Sequence, residues 1–365
     1  MYSEQFYRLA LQYQEKFTNT ALKRMLRFSG TAAKLFLQPD LWRSKLNKRG
    51  KTLPFLLLND QIRRQVDKEL AIMEKENIQL CFFTDAEYPY RLRNCNDSPL
   101  LFFYKGNVDF NSDHTLAMVG TRNASDYGRD CVQKILSELK ECNIMTVSGL
   151  AYGIDTAAHE RSIENHLKTI AVMGNGFQTI YPKANENLSR LIVDRGGALI
   201  SEYPYGTPPD RLNFPRRNRI IAGMADATLV METGAKGGSM ITAYIAHSYN
   251  RDVFAFPGSV FDRMHDGCHE LIRTNVAAIV TSGTQLIEMM GWEEQQKSVQ
   301  TTLFVELTDD EEQIVNLIRN NKEITLDKLS EKVPDLSPSK LAGRLLGLEL
   351  KGVIACRPGK VYVVV

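Results

Sequence analysis

The period of the apolar positions changes along the chain and divides it into three parts. In residues 1–76 the spacing is helical, because Leu9, Tyr13 and Phe17 recur on one helix face. From residue 77, short β-rich runs alternate with helical periods. This alternation predicts an α/β fold with a doubly wound, mostly parallel sheet that follows an N-terminal helical domain.

The second part, residues 77–292, holds most of the predicted elements. Strands are predicted at 80–83, 100–104, 115–119, 144–147, 169–173, 198–201, 227–231, 253–256 and 277–280. Helices are predicted at 127–142, 155–164, 185–195, 215–224, 239–250, 268–274 and 284–290. In a doubly wound sheet, ligands bind beyond the carboxyl ends of the strands, so the loops that follow the strands are where function is expected.

A polar stretch at 293–304 predicts a linker to a small third part, residues 305–365. Helices are predicted at 309–319, 325–333 and 337–351, followed by strands at 353–355 and 361–365 with a basic tip between them, 356–360. Three helices followed by a hairpin predict a winged-helix domain. Such domains bind DNA or protein, and the two exposed charges Lys340 and Arg344 do not decide between these partners.

Composition narrows the classes of protein without identifying one. Of 365 residues, 43% are hydrophobic and 24% charged, as in an ordinary globular protein. The formal net charge is only +2, so a polyanionic partner would have to meet a local basic patch. The scattered cysteines suggest reduced thiols in a cytoplasmic protein. Without a secretory leader or an apolar run of about 18 residues, we expect neither export nor a membrane span.

Three glycine-marked loops follow predicted strands. They are 119–122 (VGTR), 148–153 (SGLAYG) and 233–239 (TGAKGGS). Glycine lets the backbone approach a ligand closely, and the helix after each loop directs free N–H groups towards it. We expect Asp155 and Ser239 to cap the second and third of these helices. Together the loops predict a phosphate-binding rim at one edge of the sheet.

The stretch 210–223, DRLNFPRRNRIIAG, combines four arginines with one aromatic residue, Phe214. Pro215 suits the first turn of a helix, and the helical period places Arg216 and Arg219 on one face. Guanidinium groups beside an aromatic ring suit a phosphate chain with unstacked bases. On this stretch alone, a solvated basic helix start is the alternative interpretation.

Several enzyme classes are disfavoured by the same loops. The loop GTRNASDYG lacks the G-x-G-x-x-G pattern of dinucleotide sites, and the next strand ends in Ser148 rather than in an acidic residue that would hold ribose. There is no P-loop motif. Ser148, Asp155 and His159 are the three residue types of a hydrolase triad, but no G-x-S-x-G elbow accompanies them.

Two further possibilities concern a metal site and an acidic catalyst. His265, Cys268 and His269 are close in sequence, yet no fourth ligand is evident, so no metal or cofactor is expected. Glu202 and Glu232 end two predicted strands and could act as acids. The loop 232–238 loosely resembles that of the Rossmann-like nucleotide phosphoribohydrolases, which makes this enzyme class the main alternative.

Taken together, the motifs resemble the DNA-processing protein A (DprA/Smf) family. The resemblance is carried by 119–128 (VGTRNASDYG), 148–159 (SGLAYGIDTAAH), 174–185 (GNGFQTIYPKAN), 201–206 (SEYPYG), 213–223 (NFPRRNRIIAG), 234–243 (GAKGGSMITA), 253–258 (VFAFPG) and 266–272 (DGCHELI). The motifs occur in the family's order, and weaker similarity extends upstream to 88–107.

The resemblance implies a cytoplasmic, non-enzymatic protein of natural transformation with an extended Rossmann fold. Such proteins bind and protect incoming single-stranded DNA, load the RecA recombinase on it, and usually form homodimers. The helical residues 1–76 resemble the sterile-alpha-motif or helix-hairpin-helix-like domain of the family, and a winged helix occurs in only some members. A pure adaptor that binds RecA alone is a third class of function.

The basic stretch and the resemblance together give a set of expected single-stranded DNA contacts. They are Gly120, Thr121, Arg122, Lys183, Arg211, Phe214, Arg216, Asn218, Gly237, Gly238 and Ser239. The resemblance implies phosphate contact for Arg122, a DNA contact for Lys183 and base stacking for Phe214. Arg211 stands where family members often carry lysine. The exchange replaces a compact ammonium group with a planar guanidinium group that can donate two parallel hydrogen bonds. The segment with His269 and Ile279 resembles the family's self-association surface.

Overall fold

A computed structural model describes residues 2–46, 55–292, 307–321, 324–334, 336–351, 353–357 and 361–364. Its contacts divide the chain into two units, Met1–Glu293 and Glu294–Val365. The predicted linker, residues 293–304, lies outside the described residues, as do residues 358–360 of the predicted basic tip.

Helices open the first unit, as the apolar period predicts. They are α1 (Glu4–Gln12), α2 (Asn19–Ser29), α3 (Ala32–Leu37), α4 (Asp40–Leu46) and α5 (Asp60–Lys75). Four of them have a side-chain N-cap, from Ser3, Thr18, Thr31 and Asn59. α1 is shorter than its period suggests, and Tyr13 and Phe17 lie beyond its end, half-buried against the core.

The N-terminal helices share a hydrophobic core with the sheet that follows them. Leu9 and Met25, for example, belong to the same buried cluster as Phe103 and Leu199. The amide of Gln12 also donates to the Glu202 carbonyl, with an N···O distance of 2.7 Å. Residue 76 therefore marks the change from the N-terminal helices to the sheet, and the two pack on each other. That it is also a domain boundary stays a prediction.

One nine-stranded sheet forms the centre of the first unit. Its strands are β1 (Gln79–Phe82), β2 (Leu101–Gly106), β3 (His114–Val119), β4 (Ile144–Ser148), β5 (Thr169–Met173), β6 (Ala198–Ser201), β7 (Ala227–Val230), β8 (Asp252–Ala255) and β9 (Ala278–Ile279). The spatial order is β1-β2-β6-β5-β4-β3-β7-β8-β9. β1–β2 and β2–β6 pair antiparallel, whereas every pair from β6 to β9 is parallel. The predicted doubly wound, mostly parallel sheet is confirmed.

Helices cover both faces of the sheet. They are α6 (Tyr90–Arg93), α7 (Asp126–Leu139), α8 (Ile154–Glu164), α9 (Glu186–Asp194), α10 (Asn213–Met224), α11 (Gly238–Ser248), α12 (Asp266–Arg273) and α13 (Gly283–Met290). The central strands are consequently buried on both faces; all five residues of β4 and of β5 are buried. Runs of consecutive buried, mostly apolar residues are typical of parallel strands.

The strand order reverses direction at β3. β4, β5 and β6 lie on one side of this strand, and β7 and β8 lie on the other. At such a switch point the connections leave in opposite directions and open a crevice beyond the carboxyl ends of the two central strands. The loops after β3 and β7, which both carry glycines, therefore flank the crevice.

Two predicted helix caps are wrong, and one predicted helix start is confirmed. Asp155 lies inside α8, whose N-cap is Gly153, and its carboxylate accepts from the preceding loop instead. Ser239 lies inside α11, whose N-cap is Gly237. Gly153 has φ 77°, a conformation that favours glycine over a capping side chain. Pro215 does lie in the first turn of α10.

The second unit contains the predicted three helices and a hairpin. Its elements are α14 (Asp309–Asn321), β10 (Ile324–Thr325), α15 (Leu326–Lys332), α16 (Pro338–Leu350), β11 (Ile354–Arg357) and β12 (Val361–Val364). The short strand β10 adds to the hairpin, giving the order β10-β12-β11. Ile314, Leu329, Leu341 and Leu345 form part of its own buried core. This arrangement confirms the predicted winged helix.

Candidate nucleic-acid interface

A cavity of about 670 Å³ lies at the crevice between the β3 and β7 loops. Most of the predicted contact residues line it: Gly120, Thr121, Arg122, Arg211, Phe214, Asn218, Gly237, Gly238 and Ser239. They come from three separate stretches of sequence, which the switch point brings together. The cavity is large enough for several polar and aromatic groups of an extended ligand.

The turn after β3 is held in place by neighbouring backbone. The N–H of Thr121 donates to the Glu232 carbonyl (2.6 Å), and the Thr121 carbonyl accepts from the N–H of Ile154 (3.1 Å). Position 120 must be glycine because a Cβ atom there would come within 2.4 Å of Ile154 Cγ1. Arg122 then leaves this fixed turn with an exposed side chain that borders the cavity.

Phe214 provides an aromatic surface in the first turn of α10. Its half-buried ring packs over Gly174, where a Cβ atom would come within 2.7 Å of the ring. The ring centroid lies 5.4 Å from that of Tyr181 and 5.8 Å from the guanidinium carbon of Arg122. A ring next to a second ring and a cation suits the stacking of a nucleobase.

The start of α11 presents backbone donors to the cavity. Gly237 is the N-cap, and its N–H donates to the Gly234 carbonyl (2.9 Å). The hydroxyl of Ser239 donates to Thr233 Oγ1 (2.7 Å), so this side chain fixes the loop rather than capping the helix. Because the first N–H groups of a helix have no partner inside it, Gly238 and Ser239 can offer theirs to an anion.

Arg211 and Asn218 complete the lining on the side of α10. Arg211 is exposed, and Asn218 is half-buried. The Asn218 Oδ1 atom accepts from the Nε atom of Arg217 at 3.2 Å. This contact leaves the amide NH₂ group of Asn218 available as a donor to a phosphate or to a base edge.

Arg217, a buried residue in the lining of the cavity, ties the β4–α8 loop and β5 to α10. Its Nη1 atom donates to the carbonyls of Gly149 (2.6 Å) and Val172, which belong to the β4–α8 loop and to β5. Burial lowers the pKa of Arg217 to about 10, and the neighbouring Asp155 opposes this change. Burial also raises the pKa of Asp155, which accepts from the N–H groups of Gly149 and Ala151. Sequence reasoning counted Arg217 among basic residues without recognising this structural role.

Two predicted contacts do not line this cavity. Lys183 is exposed in a 3₁₀ turn, Lys183–Asn185, whereas Tyr181 from the same loop does line the cavity. Arg216 lines a second cavity of about 350 Å³ together with Glu202 and Arg219. Residues two apart on a helix point about 200° from each other, so Arg216 and Phe214 cannot face the same side of α10.

Of the two residues of the predicted self-association surface, Ile279 lies on the β9 edge of the sheet and His269 lies on α12. Ile279 is on β9 itself, and its side chain is 54% exposed. His269 is half-buried on α12, and its Nε2 atom hydrogen-bonds with the Gly258 carbonyl (3.1 Å). An apolar side chain on a sheet edge is a typical place for another chain to bind.

The residues of the considered triad do not assemble into one. Ser148 Oγ donates to the Met118 carbonyl (2.7 Å), and His159 Nδ1 hydrogen-bonds with Thr169 Oγ1 (2.7 Å). Asp155 accepts from loop N–H groups instead of orienting the imidazole. All three side chains have structural partners, so the described residues provide no activated nucleophile here.

Glu232 also faces away from the proposed interface. It is fully buried, and its Oε2 atom accepts from the N–H (3.0 Å) and the hydroxyl (3.3 Å) of Ser125 at the start of α7. The cavity lining includes the next residues, Thr233 and Gly234, but not Glu232. A carboxylate in this position cannot reach a substrate bound in the cavity, which counts against the phosphoribohydrolase alternative.

The suspected metal ligands do not converge on one point in the described part of the chain, although the rings of His265 and His269 lie 6.4 Å apart. The Cys268 thiol is buried against the Val230 carbonyl, with an S···O distance of 3.8 Å, and His269 contacts the Gly258 carbonyl. His265, however, lies beside Glu232 and Asp262, a grouping that sequence reasoning missed. No local pattern could reveal it, because Glu232 comes from a different strand.

Comparisons with known proteins agree with the motifs. A family model described as DNA recombination-mediator protein A matches residues 79–291, and a model of the DprA winged helix domain matches residues 302–360. The DNA processing protein DprA of Streptococcus pneumoniae is 42% identical over 61% of this chain and 78% of its own length. Protein Smf of Escherichia coli is 33% identical over 81% of this chain and 80% of its own length.

Solved structures give the same result for the fold. The X-ray structure of the Streptococcus pneumoniae protein has a TM-score of 0.57 at 36% identity, covering 74% of this chain and 98% of that one. A structure of DNA processing protein A from Helicobacter pylori, which concerns its single-stranded DNA binding mode, has a TM-score of 0.53 at 24% identity. It covers 58% of this chain and 95% of that one. Among the described helices, none is long and apolar enough to cross a membrane.

Proposed function

The chain belongs to the DNA recombination-mediator protein A (DprA/Smf) family, and from this membership we propose that its main cavity binds single-stranded DNA during natural transformation. The observation that carries the proposal is the convergence of glycine turns, Arg122, Arg211 and Phe214 on one cavity. Backbone donors and arginines would hold phosphates, while Phe214 would stack on a base. The Helicobacter pylori relative, studied for its single-stranded DNA binding, supports this ligand.

Lys183 and Arg216 extend the proposed path beyond the cavity. Both side chains are exposed, and neither has an ion-pair partner among the described residues. An extended polynucleotide is longer than the cavity, so cations outside it can contact neighbouring phosphates. In this proposal Arg216 contacts the strand after it crosses the start of α10.

The direct test compares single-stranded and duplex oligonucleotides of equal length in a binding titration at several salt concentrations. We expect preferential binding of oligo-dT, with an affinity that falls as salt rises by a slope of about 0.7 per phosphate contact. Equal affinity for the duplex would contradict the proposed ligand. Absence of binding to any oligonucleotide would instead favour the pure adaptor.

The phosphoribohydrolase alternative has its own assay. Incubation with nucleoside monophosphates, followed by chromatography, would detect release of the free base. We expect none, because the Glu232 carboxylate is buried against Ser125 outside the cavity. Base release that disappears in Glu232→Gln would establish the enzyme instead. The family's description as a recombination mediator supports a non-enzymatic role.

We further propose that the bound strand is passed to a RecA recombinase in the cytoplasm. The description of the family as a recombination mediator supports this step. The test follows RecA ATPase activity on single-stranded DNA coated with a single-strand-binding protein. Adding the full chain should shorten the lag before RecA becomes active, and an unchanged lag would contradict the proposal.

We propose, finally, that the protein is a homodimer formed through the β9 edge. The exposed side chain of Ile279 on this edge supports the surface, and His269 lies on the preceding helix, α12. Light scattering after size-exclusion chromatography should give twice the chain mass for the wild type and the monomer mass for Ile279→Glu. A wild-type monomer, or an Ile279→Glu dimer, would exclude this interface.

A further inference from the structure

We propose that Glu232, Asp262 and His265 bind one divalent transition-metal ion. Each residue contributes one ligand atom, and these three atoms all lie within 4.8 Å of one another. Glu232 follows β7, whereas Asp262 and His265 belong to the loop between β8 and α12. An ion at this point would join the loop to the sheet.

Glu232 supplies the strongest argument for a cation. It is fully buried, and Ser125 satisfies only its Oε2 atom. The Oε1 atom is buried and has no hydrogen-bond partner among the described residues. A buried carboxylate oxygen without a partner is costly, and unpaired buried groups in native proteins often mark an ion or a water molecule.

Asp262 and His265 supply the other two ligands. One oxygen of Asp262, Oδ1, accepts from the N–H of Met264 (2.9 Å), and the other, Oδ2, lies 3.9 Å from His265 Nε2. The imidazole is 1% exposed and fits against Gly258, where a Cβ atom would come within 2.2 Å of the ring. This packing fixes the ring plane. The side chain of Asp262 is 45% exposed, which provides an entry path for an ion and a water ligand.

The donor set indicates the class of ion. One imidazole nitrogen and two carboxylate oxygens suit Zn²⁺ or Mn²⁺, whereas Ca²⁺ and Mg²⁺ prefer all-oxygen sites. Ligand atoms around a tetrahedral Zn²⁺ are about 3.3–3.6 Å apart. Asp262 Oδ2 and His265 Nε2 lie 3.9 Å apart, and the three ligand atoms lie within 4.8 Å of one another, so the side chains would have to move together by up to about 1.5 Å to bind the ion.

The ion would hold the loop between β8 and α12 against the end of β7, next to the main cavity. Thr233 and Gly234, which follow Glu232, line that cavity. The Thr233 carbonyl also accepts from the N–H of Gly267, two residues after His265 (2.9 Å). Fixing the loop through His265 would therefore stiffen one wall of the cavity and raise the thermal stability of the folded chain.

The experiment uses metal-stripped full-length protein, calorimetric titration with ZnCl₂ or MnCl₂, and thermal unfolding. We expect about one ion per chain and a rise in Tm of several degrees at saturation. Asp262→Asn keeps the acceptor for Met264 but removes the charge, and should weaken binding at least about tenfold. Glu232→Gln should have the same effect. The exposed His247, on α11, gives the control variant His247→Ala, which should bind as the wild type does.

Two results would overturn the site. One is the absence of stoichiometric binding, with no rise in Tm, which would leave a water molecule as the partner of Glu232. The other is binding of wild-type strength in Asp262→Asn or a loss of binding in His247→Ala, either of which would place the ion elsewhere on the protein. If Glu232→Gln does not fold, Asp262→Asn still decides, because the Asp262 side chain is 45% exposed and the substitution leaves the core unchanged.

Discussion

Substitution of Phe214 distinguishes base stacking from electrostatic attraction between the protein and DNA. Because a ring contributes no charge, Phe214→Ala should weaken oligo-dT binding by about 1–3 kcal/mol while leaving the salt slope unchanged. Phe214→Tyr is the matched control, since it keeps an aromatic face beside Tyr181 and should bind nearly as well. Fluorescence anisotropy at several salt concentrations measures both quantities. Wild-type affinity in Phe214→Ala would exclude the stacking role.

Substitution of Arg122, unlike that of Phe214, should change the salt dependence of DNA binding. Its side chain is exposed and borders the cavity, so we expect it to neutralise a phosphate. Arg122→Ala should lower the affinity and reduce the salt slope by about 0.7, without changing Tm. Arg195, exposed at the end of α9, provides the control Arg195→Ala, which removes the same charge outside both cavities. Equal losses in the two variants would mean that net charge alone drives binding.

His159 makes the stability of the protein dependent on pH. Burial lowers its pKa from 6.5 to about 3, with the nearby Arg217 contributing in the same direction. Between these values the unfolded chain binds a proton that the folded chain does not, so stability falls as the pH falls through this window. Lowering the pH from about 7.5 to about 5 should cost about 2 kcal/mol more in the wild type than in His159→Gln. Urea unfolding at both pH values measures this difference, and equal pH dependence would contradict it.

At the scale of elements, α10 depends on Arg217 for its position against the sheet. Removing the guanidinium leaves the Gly149 and Val172 carbonyls without their donor and Asp155 without a nearby cation. Arg217→Met should therefore destabilise the fold by about 3 kcal/mol or more. In a double-mutant cycle, Asp155→Asn should cost less when combined with Arg217→Met than alone, because the carboxylate that it removes then has no cation beside it. Chemical denaturation measures all four proteins of the cycle, and additive losses would show that the two groups are not coupled.

The elements themselves were largely predictable from local pattern. Short strands made mostly of apolar residues with no alternation, such as β4 and β5, have a clear signature because both faces are buried. The helix caps were less predictable. Asp155 and Ser239 have the right residue types for a cap, but their side chains bind the loops beside the cavity instead. In both places tertiary hydrogen bonds decide the role of a residue that local propensity would assign to a cap.

At the scale of the whole molecule, the convergence of residues on one cavity could be predicted where the parallel topology alone brings them together. The loops after β3 and β7 meet at the switch point in any sheet of this order, so Arg122 and Gly237 were predictable. The position of Arg216 was not predictable, because it depends on which side of α10 faces the N-terminal helices. The cluster of Glu232 and His265 also joins separate segments, and no sequence spacing encodes that contact.

The division of the chain into two units gives the last prediction. Every residue that lines the main cavity belongs to Met1–Glu293, and the winged helix has a buried core of its own. A chain that ends at residue 292 should therefore keep its affinity for oligo-dT and its salt slope. Residues 1–292 supply all of the proposed phosphate and base contacts. Titration of the truncated and full-length proteins side by side therefore tests whether the first unit alone binds the DNA. A fall in affinity of about tenfold or more, with Tm of the truncated protein unchanged, would mean that the winged helix contributes to DNA binding directly.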